Sequence, residues 1–522
     1  MRRLIGPVLH LRQGTSNEWR FAVGLWVEAP QPDALSLAFD ADAAATVDAA
    51  PIVVGEFGGG AWLSWNVRIP RRDSEFDTRY TITGFDGDPI EYDLVCVPAV
   101  GQPPRIAFFS CNGVQDPKDW TTQPEMEALW DRMRVRHEAG ICPDGSGGRY
   151  HVLLGGGDQI YCDSVWTDIP RLAKLDTWEK RKKAKVTPAL EADIEKHYAS
   201  LYRRWSRSAF ASMHARVPGL YTWDDHDIFD GWGSYDDELQ GSDLFKAIFV
   251  KAQAAFRLFQ LGGEPLRPGN LFASAPSATH ALQAVRFDDR LDVLVLDLRS
   301  ERTETQVMDK AQWDDINAYL AGRPLEHSPP HLLVVSSIPV VYLNFATAEK
   351  FLDWFPWRQD LEDDLYDQWE SPAHQEERAR LIMTLLDHAA ATRTRVTVLS
   401  GDVHVGARGR IVSRRPEHVL PSEQEAGIHQ LTSSAIVYPS PGALALAGMR
   451  AISGEGPTPL LAVSQVETEV VRVSADHFLL GKRNWLSIEP GTSSKQELWV
   501  RWLTDDGDVK PPLVVHRRAT PE

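Results

Sequence analysis

The chain has 522 residues, of which 43% are hydrophobic and 25% charged, a composition typical of soluble globular proteins. This length predicts two or three domains rather than one. The 55 basic and 73 acidic residues give a net charge of −18, which argues against nucleic acid or an anionic membrane surface as the main partner. An acidic chain can still bind phosphate esters where metal ions supply local positive charge.

Cysteines and apolar runs indicate the cellular compartment. The four cysteines, Cys96, Cys111, Cys142 and Cys162, are too few for a disulfide framework in so long a chain. The first residues hold two arginines, but polar residues and Pro7 interrupt the run that follows, so we expect no secretory signal. No stretch of about 18 apolar residues occurs, so we expect no transmembrane helix. The sequence therefore predicts a cytoplasmic protein with reduced thiols.

Residues 1–103 have the pattern of a small antiparallel β sandwich. Short runs rich in β-branched and aromatic residues, separated by glycine, proline and aspartate, occupy 21–27, 61–69 and 92–97. These residues contain no cluster of metal-binding side chains, which favours a packing or docking role for this domain.

Residues 104–455 have an α/β pattern. Apolar strands are predicted at 106–109, 152–154, 293–296, 332–335 and 396–399. A helix is predicted at 376–391 and a helical insertion at about 166–216, which includes a basic run at 180–183 with the pattern of a solvated helix face. This alternation predicts a layered α/β core. Residues 456–522 return to β, with strands at 467–473 and 497–503 expected to close a hairpin against the core.

Polar clusters follow four of the apolar runs. They read Ser-Cys-Asn at 110–112, Gly-Asp-Gln-Ile-Tyr at 157–161, Asp-Asp-His-Asp at 224–227 and Ser-Gly-Asp-Val-His at 400–404. In open α/β sheets the loops beyond the carboxyl ends of strands converge on one crevice. If the last cluster is extended, Asp402 and His404 project to the same side. The clusters are therefore expected to meet in one pocket.

Each cluster alone has a simpler interpretation. An aspartate after glycines is often part of a turn, the acidic run at 224–227 has the pattern of a helix N-cap and first turn, and Cys111 alone is typical of a buried apolar residue. Independent turns do not explain why all four follow strands. Packed acidic loops would repel one another without a cation, so the set favours metal binding.

The side-chain types restrict the metal. Carboxylate, imidazole, thiolate and phenolate together suit iron better than magnesium, whereas a neighbouring site built mainly of carboxylates suits Ca²⁺, Mn²⁺ or Mg²⁺. One aspartate shared by both sites would hold two ions about 3.5–4 Å apart, the spacing that clamps phosphoryl oxygens and activates water.

Taken in order, these clusters, with Asp-Leu-Arg at 297–299, resemble the PhoD-like branch of the calcineurin-like metallophosphoesterases. The resemblance covers about residues 105–440 and implies a core of two packed sheets flanked by helices, preceded by a β domain. Elsewhere in that superfamily the first motif is Asp-x-His. The PhoD-like branch has a cysteine there, as this chain has Cys111.

The resemblance also implies a ligand set. An Fe³⁺ ion would be held by Cys111, Asp158, Tyr161 and His404, and a second ion, Ca²⁺, by Asp158, Asp225 and Asp402. His226 takes the place of a histidine that can protonate the leaving group. Mn²⁺ or Zn²⁺ are alternatives. Better-known relatives carry two asparagines soon after the Asp-Asp-His motif, where this chain has Asp230, so Asp230 is a further candidate ligand.

Three more polar residues are candidates for the site. Arg299 and Arg302 follow a strand, and arginine is the usual bidentate phosphate binder; an ion pair to Asp297 or Glu301 explains them equally well. His429 is better explained as a structural residue. Eighteen tryptophans, including Trp223 and Trp232 beside the third cluster, indicate either an aromatic-lined cleft or a large core.

The sequence thus predicts a phosphoesterase acting on phosphate monoesters or diesters, a small-molecule substrate class, through a metal-activated water at a dinuclear site, with His226 and Arg299 as catalytic residues. The alternative is a non-catalytic, metal-stabilised protein that binds a phosphorylated ligand or partner. A closed ligand shell with no position for water favours that alternative.

Overall fold

A computed structural model describes the chain except residues 15–16, 86, 116–123, 141–146, 264–271, 274–278, 323–324, 342–368, 370, 422, 454–455, 462, 476, 492–495 and 519–522. Cys142 lies outside the described residues. Cys96, Cys111 and Cys162 are free and buried, as the prediction of reduced thiols requires.

The strands are numbered in chain order. The first eight are β1 (Arg2–Gly14), β2 (Glu18–Glu28), β3 (Ser36–Phe39), β4 (Thr46–Val47), β5 (Ile52–Phe57), β6 (Gly60–Pro70), β7 (Phe76–Thr83) and β8 (Ile90–Val97). The next eight are β9 (Ile106–Phe109), β10 (Val152–Gly156), β11 (Gly219–Thr222), β12 (Phe272–Ala273), β13 (Gln283–Phe287), β14 (Leu291–Val295), β15 (His331–Val335) and β16 (Arg395–Ser400). The last nine are β17 (Gly406–Ser413), β18 (Ala426–Thr432), β19 (Thr458–Pro459), β20 (Val466–Val471), β21 (Leu479–Leu480), β22 (Asn484–Pro490), β23 (Glu497–Thr504), β24 (Gly507–Asp508) and β25 (Leu513–His516).

The α-helices of the described residues are α1 (Ala128–Ala139), α2 (Val165–Asp168), α3 (Trp178–Lys182), α4 (Pro188–Tyr202), α5 (Ser208–His214), α6 (Asp237–Gln240), α7 (Asp243–Ala255), α8 (Lys310–Ala321), α9 (Gln375–Thr392) and α10 (Ala443–Ile452). Short 3₁₀ helices lie at Pro32–Ala34, Ala41–Ala43, Pro124–Glu127, Arg203–Ser206, Asp225–Asp227 and Leu325–His327, and a π-helical turn at Phe256–Gln260. The α/β prediction is therefore confirmed.

Two parallel sets of strands carry the site. In one set β9, β10 and β11 are neighbours, and in the other β14, β15, β16 and β18 are neighbours. The N-terminal strand β1 joins the two sets, because it pairs in parallel with β11 at His10–Gly219 and with β13 at Gly14–Phe287. As a result the N-terminal strands and the α/β core share one large mixed sheet.

One hydrophobic core connects the two parallel sets. Side chains of β9 and β10, such as Phe108 and Leu154, belong to the same buried cluster as Val335 and Leu399 from β15 and β16. The separate sheet of β3, β7 and β8 contributes side chains such as Tyr80 to this cluster as well. The predicted domain boundaries and the N-terminal sandwich stay predictions.

Several predicted elements have close counterparts. The helix predicted at 376–391 is α9, and the strands predicted at 106–109 and 396–399 are β9 and β16. The strands predicted at 467–473 and 497–503 are β20 and β23, but the expected hairpin between them was wrong, because each pairs with other strands. β20 pairs antiparallel with β17, whereas β23 pairs with β22, which pairs antiparallel with β9 at the edge of the first parallel set. Strand β1 was not predicted, since polar residues interrupt its apolar pattern.

Buried tryptophans account for much of the unusual tryptophan content. The largest fully buried side chains include Trp19, Trp26, Trp62, Trp65, Trp130, Trp205, Trp223, Trp313, Trp369 and Trp485. Trp232 is 5% exposed. These residues belong to the core, which is the second of the two explanations offered for them. In the part of the chain that the structure describes, no helix combines the length and apolar character needed to cross a bilayer.

Buried histidines predict how stability depends on pH. Burial lowers the pKa of His10 and His137 to about 3 and that of His151 and His331 to about 4. The unfolded chain therefore takes up protons below its ordinary histidine pKa of about 6.5, whereas the folded chain does not. The stabilisation is complete above pH 6.5 and is lost as the pH falls toward 3–4.

We expect the free energy of unfolding to fall between pH 8 and pH 5 by about 2 kcal/mol for each such histidine. Denaturant unfolding at both pH values measures this fall. In His10→Gln the fall should be smaller by that amount, whereas His327→Gln, at an exposed position, should leave it unchanged. Equal falls in the two variants would contradict the prediction.

Candidate metal centre

Each of the four polar clusters follows a strand at its carboxyl end. Cys111 lies two residues after β9, Asp158 two after β10, Asp225 three after β11, and Asp402 two after β16. Backbone hydrogen bonds join the loops: Cys111 N–H donates to Gly157 O (3.2 Å), and Asn112 N–H donates to Asp158 O (2.7 Å). The loops meet at one end of the parallel strands, as the sequence pattern predicts.

The backbone of this region is unusual. Cys111, Asp158, Asp402 and His404 have positive φ angles of 51°, 53°, 71° and 50°. Residues other than glycine seldom adopt this left-handed conformation, and strained residues of this kind concentrate at functional sites. Four of the six predicted metal ligands therefore lie on strained backbone.

This geometry corrects one expectation. Strand β16 ends at Ser400, and the residues after it bend, with Val403 N–H donating to Gly401 O at 3.0 Å. Asp402 and His404 are therefore not on an extended segment, and simple alternation does not set their directions.

Four carboxylates form the acidic part of the site. One oxygen from each of Asp158, Asp224, Asp225 and Asp402 lies within 4.8 Å of the others. Asp158 is 1% exposed, and its Oδ1 makes no hydrogen bond within the described part of the chain. A buried carboxylate oxygen without a donor is costly unless a cation binds it, so the residues present fit a metal ion.

Gly157 allows the carboxylates to approach so closely. Its φ is +106°, and a Cβ at this position would lie 2.9 Å from Asp224 Cβ and 3.1 Å from Ser337 Cβ. Any side chain would push the Asp158 loop away from Asp224, so the glycine before Asp158 is a steric requirement of the site.

A second group of donors lies beside Asp158. Cys111 Sγ is 3.6 Å from Asp158 Oδ2, and Tyr161 Oη is 3.2 Å from His404 Nε2. Donor atoms that share one ion at about 2.0–2.3 Å lie about 3.5 Å from one another. Each pair alone has the spacing of ligands that share an ion. The groups of His, Cys, Asp and Glu donors that lie within 4.8 Å of one another among the described residues include neither Cys111 nor His404, so a common ion for all four side chains stays a prediction.

Without a bound metal ion, the side chains of this second group are all electrically neutral. Burial, together with the neighbouring Asp158, raises the pKa of Cys111 well above its usual value, and burial raises that of Tyr161 likewise. Burial lowers the pKa of His404 to about 3. The thiol and phenol therefore keep their protons and the imidazole stays neutral; a bound cation would replace those protons.

His226 forms a pair with a residue that the sequence did not reveal. Its Nδ1 lies 2.9 Å from Asp163 Oδ2, and a ring nitrogen groups with oxygens of Asp158 and Asp225 within 4.8 Å. Burial opposes a charge on this imidazole, but the carboxylates of Asp163 and Asp225 raise its pKa well above the usual value. These carboxylates therefore favour the protonated form of His226.

The third cluster is both a helix start and part of the site. A 3₁₀ helix begins at Asp225, and Asp224 N–H donates to Asp227 Oδ2 at 2.9 Å. Asp227 also accepts hydrogen bonds from the backbone N–H groups of Gln159 (3.1 Å) and Ile160 (3.2 Å). The helix-start interpretation is thus correct for Asp227, which links the second and third loops.

Arg299 is buried among the acidic residues. Its guanidinium forms ion pairs with Asp224 and Asp225, the latter at 3.3 Å, and donates to Trp232 O at 3.0 Å. Its side chain is fully buried. These carboxylates differ from Asp297 and Glu301, the ion-pair partners considered as the alternative to phosphate binding, and the role of Arg299 as a phosphate binder stays a prediction.

Removing this guanidinium should destabilise the protein. Arg299→Gln would leave Asp224 and Asp225 without its charge in a buried setting, which costs about 3–5 kcal/mol. Denaturant unfolding measures the loss. Arg415→Gln removes a half-exposed ion pair to Glu417 and should cost less than about 1 kcal/mol. A similar small cost in both variants would contradict the expectation.

Other candidates lie outside this group. Asp230 is exposed; its N–H donates to Asp163 Oδ1 at 2.7 Å, and the metal-ligand groups of the described residues do not include its carboxylate. Arg302 lies near His374, with its Nη2 3.4 Å from Nδ1. His429 lies within β18, where burial lowers its pKa to about 3, in line with the structural role expected of it.

A further group outside the site combines Glu75, Cys96 and His151. Arg105 already occupies it, with its Nη2 2.5 Å from Glu75 Oε1 and 3.3 Å from His151 Nε2. His151 Nδ1 accepts the Arg105 backbone N–H at 2.9 Å, so Nε2 carries its proton toward Glu75. This is a hydrogen-bonded ion pair in which a guanidinium takes the place of a cation.

Comparisons with known proteins agree with the geometry. The profile of a family described as PhoD related phosphatase matches residues 141–358 and 355–451, more than half of the chain. The uncharacterized protein YGR266W of Saccharomyces cerevisiae is 25% identical over 507 residues, which cover 82% of this chain and 70% of the yeast protein. A solved GH5 xyloglucanase of Bacteroides ovatus, in complex with a XXXG heptasaccharide, is 11% identical and covers 75% of this chain and 91% of its own. Its TM-score of 0.14 is too low to inform fold or function. On the strength of the matching profile, the chain belongs to the PhoD-related phosphatase family.

Proposed function

We propose that this protein is a metal-dependent phosphoesterase that hydrolyses small-molecule phosphate monoesters or diesters. The observation that carries the proposal is the buried carboxylate group around Asp158, whose Oδ1 has no hydrogen-bond donor among the described residues. Membership of a family of phosphatases supplies the reaction class.

We assign the donors to two ions. Cys111, Tyr161 and His404 with Asp158 would hold one, and Asp225 and Asp402 with Asp158 would hold the other. The soft and aromatic donors of the first set suit Fe³⁺, with Zn²⁺ or Mn²⁺ as alternatives, and the carboxylates of the second suit Ca²⁺ or Mn²⁺. When bound, such ions polarise the phosphoryl group and lower the pKa of water.

The remaining residues orient groups and move a proton. Asp163 accepts from His226 Nδ1, which fixes the imidazole with its other nitrogen free to donate. A protonated His226 can then give its proton to the departing alkoxide or phenoxide. Arg299 is buried against Asp224 and Asp225, which supports a role in holding Asp225 in place rather than in direct phosphate binding.

Elemental analysis and a phosphoester screen on the same purified sample test the proposal. We expect about two ions per chain, a visible charge-transfer band if ferric iron meets the tyrosinate or thiolate, and hydrolysis of p-nitrophenyl phosphate or its bis ester. The ratio of the two rates separates monoesterase from diesterase.

Bound metal without turnover on a broad phosphoester panel would instead favour the non-catalytic binding protein. A sample that retains no metal after reconstitution and hydrolyses no phosphoester would contradict the proposal itself.

A further inference from the structure

Tyr438 lies over two of the predicted metal ligands. Its ring centroid is 4.1 Å from that of His404, at an interplanar angle of 20°, and 5.2 Å from that of Tyr161, at 19°. Both contacts are stacked. Tyr438 follows β18 and belongs to none of the four polar clusters, so nothing in its sequence context marks it.

The two stacked partners lie on the same face of Tyr438. Tyr161 Oη and His404 Nε2 are only 3.2 Å apart. Rings on opposite faces of Tyr438 would be separated by two stacking distances, about 7 Å. Tyr161 and His404 therefore meet edge to edge beneath one face of the Tyr438 ring.

Tyr438 also contacts the loop that carries Cys111. It is half-buried and packs against a small buried cluster of Cys111, Tyr161 and Ala435, of which Cys111 and Tyr161 are 0% exposed. Its backbone N–H donates to Cys111 O at 3.3 Å, which anchors it to the first loop. Its hydroxyl lies 3.5 Å from Gln115 Oε1, in an exposed contact.

We infer that Tyr438 is a positioning residue. Its ring fixes the orientation of the Tyr161 and His404 rings and shields Cys111 from solvent. The inference deepens the proposed function and rests on it for the identity of the ligands. The aromatic ring carries this role, because both stacking contacts involve the ring, whereas the hydroxyl contact with Gln115 is exposed.

The shielding of Cys111 by Tyr438 can be tested without metal, by measuring how fast the Cys111 thiol reacts. A maleimide is applied to the metal-free protein, and mass spectrometry follows the labelling of each cysteine. The measured quantity is the ratio of the Cys111 rate to that of Cys96, which is buried beside Arg105, outside the metal centre. Because the ratio is internal, a general loosening of the fold does not imitate the effect.

Tyr438→Ala should raise this ratio at least about 10-fold, whereas Tyr438→Phe, which keeps the ring, should leave it unchanged. An unchanged ratio in Tyr438→Ala would overturn the inference. So would a rise in Tyr438→Phe equal to that in the alanine variant, since the hydroxyl rather than the ring would then be responsible.

The effect on the ligands is tested with iron. In Tyr438→Ala we expect the charge-transfer band of the wild-type iron protein to shift or weaken, and iron to pass to a chelator at least about 10-fold faster, with Tyr438→Phe restoring both. Wild-type protein that binds no iron would count against the proposed iron site. The labelling ratio would still show whether Tyr438 shields Cys111. A wild-type protein with a band that Tyr438→Ala leaves unchanged would count against positioning by Tyr438 alone.

Discussion

Asp158→Asn is expected to abolish hydrolysis and to remove at least one of the two ions. The substitution keeps the shape of the side chain but takes away the charge that both predicted sites share, and the loss should exceed about 100-fold in activity, since even residues behind the ligands typically account for 10–100-fold. Steady-state assays and elemental analysis of the same samples measure it.

The same substitution should stabilise the metal-free protein. Burial raises the pKa of Asp158 well above its ordinary value, His226 opposes the rise, and Asp224 and Asp225 add to it. An ionised Asp158 is therefore unfavourable in the folded chain without a cation, and asparagine removes that cost. A purely structural aspartate would show the opposite sign, with a less stable variant.

Asp176→Asn provides the matched control. Asp176 is exposed and pairs with Lys180 at 2.6 Å on the surface, so its replacement should leave activity, metal content and stability within experimental error. Full activity and unchanged metal content in Asp158→Asn would rule out the proposed centre.

His226→Gln is expected to lower kcat by about 100- to 10,000-fold, the range typical of a general acid. The loss should depend on the leaving group. A p-nitrophenolate departs without a proton and should lose least, whereas an alkyl phosphate should lose most. Rates measured over a series of leaving groups of increasing pKa reveal this dependence.

Asp163→Asn should cause part of the loss in kcat expected of His226→Gln. Burial opposes protonation of His226, and Asp163 is the neighbour that most strongly raises the pKa of His226, so without this carboxylate the alkaline limb of the pH–rate profile should move to lower pH. Asp387→Asn breaks a remote pair of the same kind, in which His418 Nε2 lies 2.9 Å from Asp387 Oδ1, and should change neither rate nor profile. A loss in His226→Gln that is equal for all leaving groups would argue against proton donation.

The α/β core and the convergence of the four polar loops could be predicted from the sequence for a physical reason. Buried parallel strands appear as continuous apolar runs, and loops at their carboxyl ends meet in space. The strands before Ser110 and Gly401 could therefore be located, and the polar residues after them could be expected to converge.

The residues that could not be predicted from the sequence act through contacts between distant segments of the chain. Asp163 pairs with His226 across 63 positions, and Tyr438 stacks on rings from two separate loops. Neither residue type nor local spacing signals such partners. In hindsight Asp163 has a weak signal, because it is a second carboxylate shortly after Asp158. The left-handed backbone at Asp402 and His404 is likewise set by packing rather than by residue preference, which is why the extended prediction there was wrong.

The placement of β1 has a consequence for how the chain is made. Strands β1 and β2 can pair as soon as both are synthesised, but the other edge of β1 pairs with Gly219 and Phe287, about 200 or more residues later. At the usual speed of translation this edge stays open for roughly 10 to 40 s or longer. An unpaired edge with apolar side chains such as Leu9 and Leu11 invites association with other chains. The hairpin of β1 and β2 therefore has an exposed apolar edge until these later strands have been made.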